Sequence, residues 1–286
     1  MRKKQAAIIA LLCGIAIFFL KIAAFFVSNS VALLSDAFES IINIIASGLM
    51  FFSISISERD PDQNHKYGHQ KIEDISCLLE GVLIIIAALL IISTAISRLS
   101  AANYLLELNL GIVISIFATT INLILSFILL RTAKRTDSAA LEGDSKHLMS
   151  DVLSSVVVWI GLIFGQLTGL NFIDSLLAFI VAVFVMKTGF VLIFKSSRCL
   201  MDSSCVNEEK TITTILRRHK YRFIDFHDLK TRRSGNCVFA ELHLSVDSSL
   251  TVKEAHDLTD HLEDEVKRTC SKINLIIHVE PRDLPT

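Results

Sequence analysis

Two pairs of side chains able to ligate a metal, Glu39 with Asn43 and His147 with Asp151, sit four residues apart in otherwise apolar stretches. Four residues is about one helical turn, so both members of a pair leave the same helix face and can meet a single ion. Asp36, Ser40, Asn43 and Ser47 extend the first pair into a polar stripe, with Glu39 beside it, and Asp144, Ser145 and Lys146 lead into the second. Ionisable groups at membrane depth are costly, and an ion or proton pathway is their usual justification. Glu, Asn, His and Asp supply four nitrogen and oxygen donors, which suits a tetrahedral zinc-like ion and also serves manganese, iron or cobalt. Hydrogen bonding between helices is the plainer alternative, but it accounts poorly for the choice of carboxylates.

Two further clusters are polar in context. The segment Asp60-Pro61-Asp62-Gln63-Asn64-His65-Lys66-Tyr67-Gly68-His69 offers Asp62, His65 and His69, either as a three-ligand site or as a solvated surface group. Six of the nine histidines lie beyond residue 198. Strand alternation there sets Ala240, Leu242, Leu244 and Val246 on one face and Glu241, His243 and Ser245 on the other, and opposes Ile277 and Val279 to Ile276, His278 and Glu280. If helices cover the apolar face, His243, His278 and Glu280 occupy the open one, joined by His227. An open sheet face invites a second copy of the tail, with metal held between the two and His256 adding a bridge. His219 and His261 read as solvated surface residues.

The elements that must position these residues follow from hydropathy. The chain has 286 residues, 52% of them hydrophobic, with a mean hydropathy of +0.55. Apolar segments fall near 7–27, 31–56, 78–97, 108–130, 148–166 and 172–195, each close to the ~20 residues that cross a bilayer. Arg2, Lys3, Lys4, Arg59, Lys66, Lys71, Arg131, Lys134, Arg135 and Lys146 gather on one side of these spans, against Arg98 on the other. Both termini are therefore expected in the cytoplasm. Lys21 and Lys187, near span ends, are expected to snorkel to the interface. The six cysteines form no C-x-x-C pair and read as buried or reduced thiols. No basic tract suggests nucleic acid, and no H-E-x-x-H motif suggests catalysis.

The fold class expected is a membrane all-α bundle of six transmembrane helices, residues 1–198, followed by a cytoplasmic α+β ferredoxin-like domain, residues 199–286. The tail reads as helix 207–219, strands 226–233 and 238–246 joined at Ser234-Gly235-Asn236, helix 252–270 and strand 273–280, an α-β-β-α-β order.

Taken together, Ser30-Val31-Ala32-Leu33-Leu34-Ser35-Asp36-Ala37, His65-x-Tyr67-Gly68-His69-x-Lys71, His147-x-x-x-Asp151, His227-Asp228-Leu229-Lys230-Thr231-Arg232 and Ile276-Ile277-His278 give the chain its strongest likeness. Over nearly its whole length it resembles the cation diffusion facilitator family, and within it bacterial zinc- and iron-efflux-type homodimers that exchange metal for protons. The resemblance implies a transport site at Glu39, Asn43, His147 and Asp151, a loop site at Asp62, His65 and His69, and a binuclear tail site from His227, His243, His256, His278 and Glu280. It also implies an ion pair between Lys71 and Asp202 linking membrane part and tail. The chain departs from the zinc branch in two places. That branch has two aspartates where this chain has Glu39 and Asn43, and a glutamine and an aspartate where this chain has Val279 and Glu280.

The function expected is efflux of a divalent cation, Zn2+ first and Fe2+, Mn2+, Co2+ or Cd2+ as alternatives, by alternating access across a prokaryotic cytoplasmic membrane. His147 is the natural proton-coupling group, because an imidazole's ordinary pKa of about 6.5 lets protons compete with metal near neutrality. A non-transporting metal sensor or assembly partner is the rival reading.

Overall fold

A computed structural model describes residues 2–28, 31–99, 110–168 and 172–283. It divides into two compact units, Met1–Ser197 and Arg198–Thr286.

Six long helices make up the first unit: α1 (Lys3–Ser28), α2 (Val31–Ser57), α3 (Ile72–Leu99), α4 (Leu110–Thr136), α5 (Ala139–Thr168) and α6 (Phe172–Leu200), the last of which runs on into the second unit. Each has 26 to 30 residues, a rise of roughly 40 Å against a hydrocarbon core of about 30 Å. Among the described residues, Lys3–Ala23, Ile72–Ser93, Ile116–Thr136 and Ala178–Leu200 are long and apolar enough to cross a membrane, and α2 adds the shorter apolar run Asn43–Ser57. α3 and α5 start six and nine residues before their apolar runs do, at Ile72 and Ala139. An apolar run marks only the stretch in lipid, and helical hydrogen bonding continues through Glu73, Asp74, Glu142 and Asp144 beyond it.

Burial in this unit follows membrane rather than aqueous logic. Phe19, Phe52, Phe184 and Phe194 are all more than half exposed, while Ala6, Ala7 and Ala10 of α1 are buried against Met50 and Ile54 of α2 and Leu129 of α4. Small residues let helices approach where lipid provides no hydrophobic drive between them. α3 and α6 also approach closely, where a Cβ added at Gly189 would lie 2.8 Å from the Gly81 carbonyl oxygen and 2.7 Å from Ile85. Ser126 of α4 and Ser145 of α5 each donate a hydroxyl to the other's backbone carbonyl, at 2.9 and 3.0 Å. At one end, the buried carboxylate of Glu73 on α3 accepts hydrogen bonds from Lys3 Nζ at 2.8 Å, Ser57 Oγ at 2.6 Å and Ser138 Oγ just before α5.

The second unit has α7 (Val206–Arg218), a 3₁₀ turn at Lys220–Arg222, β1 (Asp225–Ser234), β2 (Cys237–Asp247), α8 (Val252–Thr269) and β3 (Ile273–Arg282). β2 is central, antiparallel to β1 and parallel to β3. Gly235 takes a positive φ of 57° in the two-residue connection, where glycine carries no Cβ penalty. Ile212, Ile215 and Leu216 of α7 and Leu258, Leu262 and Val266 of α8 pack on Val238, Ala240, Leu242, Leu244 and Val246, so both helices cover the face that alternation assigns to the core. Ser245, expected on the open face, is 4% exposed. It is hemmed between its register neighbours Asp225 on β1 and Glu280 on β3. α8 begins with a reciprocal capping box between Thr251 and Glu254.

Two outcomes follow from this packing. Gly189→Ala forces α3 and α6 apart, and overpacking of this kind costs about 1–3 kcal/mol, read as a lowered thermal inactivation temperature in detergent. Thr251→Ala removes the cap, worth about 1 kcal/mol, so amide exchange in the first turn of α8 should quicken by about fivefold.

Candidate functional site

The intramembrane site is built on α5, whose His147 faces α2 with one ring nitrogen and α3 with the other. His147 Nε2 lies 3.1 Å from Asn43 Oδ1, and Asn43 Nδ2 donates to Asp151 Oδ2 at 2.8 Å. Three of the four expected ligands therefore form one connected set, with His147 only 2% exposed. The side chains of Glu39 and Asp36 lie outside the described residues; the α2 backbone that carries them is helical through both positions. Ser47, one turn beyond Asn43, donates to Asp144 at 3.2 Å.

Two charged neighbours were misjudged or missed from sequence. Lys21, expected to snorkel, is 7% exposed and lines a small polar cavity with Asn43, Thr119, Asn122, Asp151 and Ser155. α1 packs on both α2 and α4, so the amine reaches inward to polar groups. Lys187 is exposed on α6. The second neighbour is Glu80 on α3. It is fully buried, its Oε2 lies 4.0 Å from His147 Nδ1, and neither carboxylate oxygen has a hydrogen-bond partner among the described residues. The signal was present, since Glu80 is an ionisable residue inside the apolar run 78–97 and falls under the same rule that singled out His147.

The loop between α2 and α3 gathers Asp62, His65 and His69, whose ligand atoms all lie within 4.8 Å of one another. Gly68, at a φ of 83°, folds the chain back so that its N–H meets the His65 carbonyl at 2.9 Å. Asp62 Oδ1 accepts the backbone N–H of His65 at 2.6 Å and of Asn64 at 2.9 Å, and His69 Nε2 stands 3.3 Å from Asp62 Oδ2. The His65 N–H chiefly holds the Asp62 carboxyl below its ordinary range, leaving an anionic ligand beside two imidazoles.

On the open face of the tail sheet, His227, His243 and Glu280 form a second such group. Glu280 bridges the two rings, 2.8 Å from His243 Nδ1 and 3.4 Å from His227 Nε2. The set is made by register: His227 pairs with His243 across β1 and β2, and His243 with His278 across β2 and β3. A bulge between His227 and Lys230, with Asp228 at a φ of 54°, ends the regular pairing beside the site. The His278 ring lies 4.9 Å from that of His243. His256 stands apart from this group, on α8 beside Asp260 at 3.5 Å. Two imidazoles and a carboxylate are a donor set that fits zinc and its neighbours.

His219 differs from its expectation as a solvated residue: its side chain is 15% exposed and meets Glu265 at 3.0 Å, with the His261 ring nearby. Lys71 belongs to the first unit and Asp202 to the second.

The model of the cation efflux transmembrane domain matches residues 7–201, and that of the cation efflux protein cytoplasmic domain matches residues 206–282. An uncharacterized transporter from Synechocystis sp. is 36% identical over 282 residues, covering 98% of this chain and 90% of that one. The cation-efflux pump FieF of Shewanella oneidensis is 29% identical over 262 residues, covering 92% and 88%. Among solved structures, the metal-bound C-terminal domain of the CzcD transporter from Thermotoga maritima is 31% identical over 27% of this chain and 88% of that one, with a TM-score of 0.26. With both domain models matched in order along one membrane-embedded chain, the protein belongs to the cation diffusion facilitator family of cation efflux transporters.

Proposed function

We propose that this protein exports a divalent transition-metal ion of the zinc type in exchange for protons, working as a homodimer by alternating access. The observation that carries the reading is the set of buried His147 with part-buried Asn43 and Asp151, joined by hydrogen bonds. Metal binding requires an imidazole nitrogen free of its proton and an ionised carboxylate, so protons and metal compete for His147 and Asp151. Glu39, one turn from Asn43 on α2, completes a four-ligand site. Protonation from outside releases the ion, and loss of those protons to the cytoplasm readies the site to load again.

Glu80 serves as the outer partner of His147. A carboxylate beside Nδ1 favours the tautomer that carries its proton there, which turns the Nε2 lone pair toward Asn43 and Asp151. The Asp62, His65 and His69 cluster collects metal at the loop. Two tails pack through their open sheet faces, with His227, His243, His278 and Glu280 binding metal there and His256 reaching across from the second copy. Lys71 and Asp202 tie each membrane unit to its tail. Both termini face the cytoplasm.

In proteoliposomes, His147→Ala or Asp151→Ala should abolish metal-dependent proton flux for every ion of a zinc, iron, manganese, cobalt and cadmium panel run at two pH values. Undiminished flux removes the site from transport, and metal binding without flux in the wild type leaves a sensor. Glu80→Gln keeps shape and replaces the carboxyl group by an amide, so metal affinity at the intramembrane site should fall about 10- to 100-fold with folding intact, measured by isothermal titration in nanodiscs.

A further inference from the structure

The helical side of the tail carries a cluster that the two sheet-face and loop groups do not use. His219 follows the last residue of α7, and its ring Nδ1 donates to the Ile215 carbonyl at 3.1 Å. That bond takes up one of the carbonyls a helix leaves open at its C-terminus, and it leaves Nε2 as the nitrogen that offers a lone pair once its proton gives way to a metal. Nε2 faces Glu265 Oε2 at 3.0 Å. His261 stands one turn before Glu265 on α8, and its ring centroid is 5.2 Å from that of His219. One ligand atom from each of the three lies within 4.8 Å of the others.

We propose that His219, His261 and Glu265 bind a zinc-type divalent cation and staple the end of α7 to α8. Bonds of about 2.0–2.2 Å to a tetrahedral ion place its donors roughly 3.3 Å apart, so small side-chain rotations close the site. The backbones need not move. Ile212, Ile215 and Leu216 fix the rotation of α7, and Leu258, Leu262 and Val266 fix that of α8, because all six are buried in the shared core. The negative end of the α7 dipole favours a cation at this position, and the bond from Nδ1 to Ile215 supplies the outer support that ligating histidines characteristically have. Two nitrogens and one carboxylate leave the fourth position to water, which makes the ion exchangeable. Such a site samples free metal on the face of the tail opposite His227, His243 and Glu280, and stiffens the helical layer when filled.

The site stands or falls independently of transport. The full chain in nanodiscs, carrying His227→Ala and His243→Ala to silence the sheet-face group, is titrated with Co2+ while its visible d–d absorption and bound equivalents are recorded. The same samples are followed by hydrogen exchange over residues 212–222. Adding His261→Ala, an exposed position, or Glu265→Gln should remove one equivalent per chain or weaken it about tenfold, and should abolish the metal-dependent slowing of exchange at the end of α7. Unchanged equivalents and exchange in both variants would overturn the proposal. So would the absence of metal-dependent protection in the parent, which would leave His219 and Glu265 as an ion pair only.

Discussion

Lipid offers no hydrogen bonds, and everything in the membrane unit follows from keeping polar groups of α5 away from it. His147, Asp144 and Ser145 are all at most 2% exposed, and three other helices present polar groups to them: α2 bonds to His147 and Asp144 through Asn43 and Ser47, α4 bonds to Ser145 through Ser126, and α3 sets Glu80 4.0 Å from His147. α5 therefore has to be central, wrapped by three helices that present complementary groups at the right heights. The apolar residues need only fill the remaining space, so phenylalanines face outward and alanines inward.

Hydropathy and charge placement made the six long helices legible, because a run of some twenty apolar residues has one economical outcome in a bilayer. Period-two alternation did the same for the tail, where the covered and open faces of β2 came out as written except at Ser245. Ligand pairs one turn apart, such as His147 and Asp151, were readable because helix geometry alone brings them together. Groups joined only by tertiary packing were not. Glu80 meets His147 because α3 lies beside α5, and His219 meets Glu265 because α7 and α8 share a core. Lys21 turned inward because α1 has polar neighbours on two sides, a fact that its own segment does not contain.

The candidate intramembrane site draws its polar groups from three helices. Asn43 occupies a position where an aspartate would add a second anion on α2, and its amide instead holds Asp151 with one end and His147 with the other. On α3 the carboxyl group of Glu80 lies 4.0 Å from the outer nitrogen of the histidine.

The carboxylate of Glu73 bonds at once to Lys3 of α1, Ser57 at the end of α2 and Ser138 at the threshold of α5. Four helices are thereby pinned at one end, like rods gathered in a collar. Rods so held cannot slide along one another; they can only splay. With helices roughly 40 Å long, a tilt of about 5° about the collar displaces the far ends by some 3–4 Å and the middle by half as much. A splay about this collar is thus graded along the bundle, smallest at Glu73 and largest at the opposite mouth.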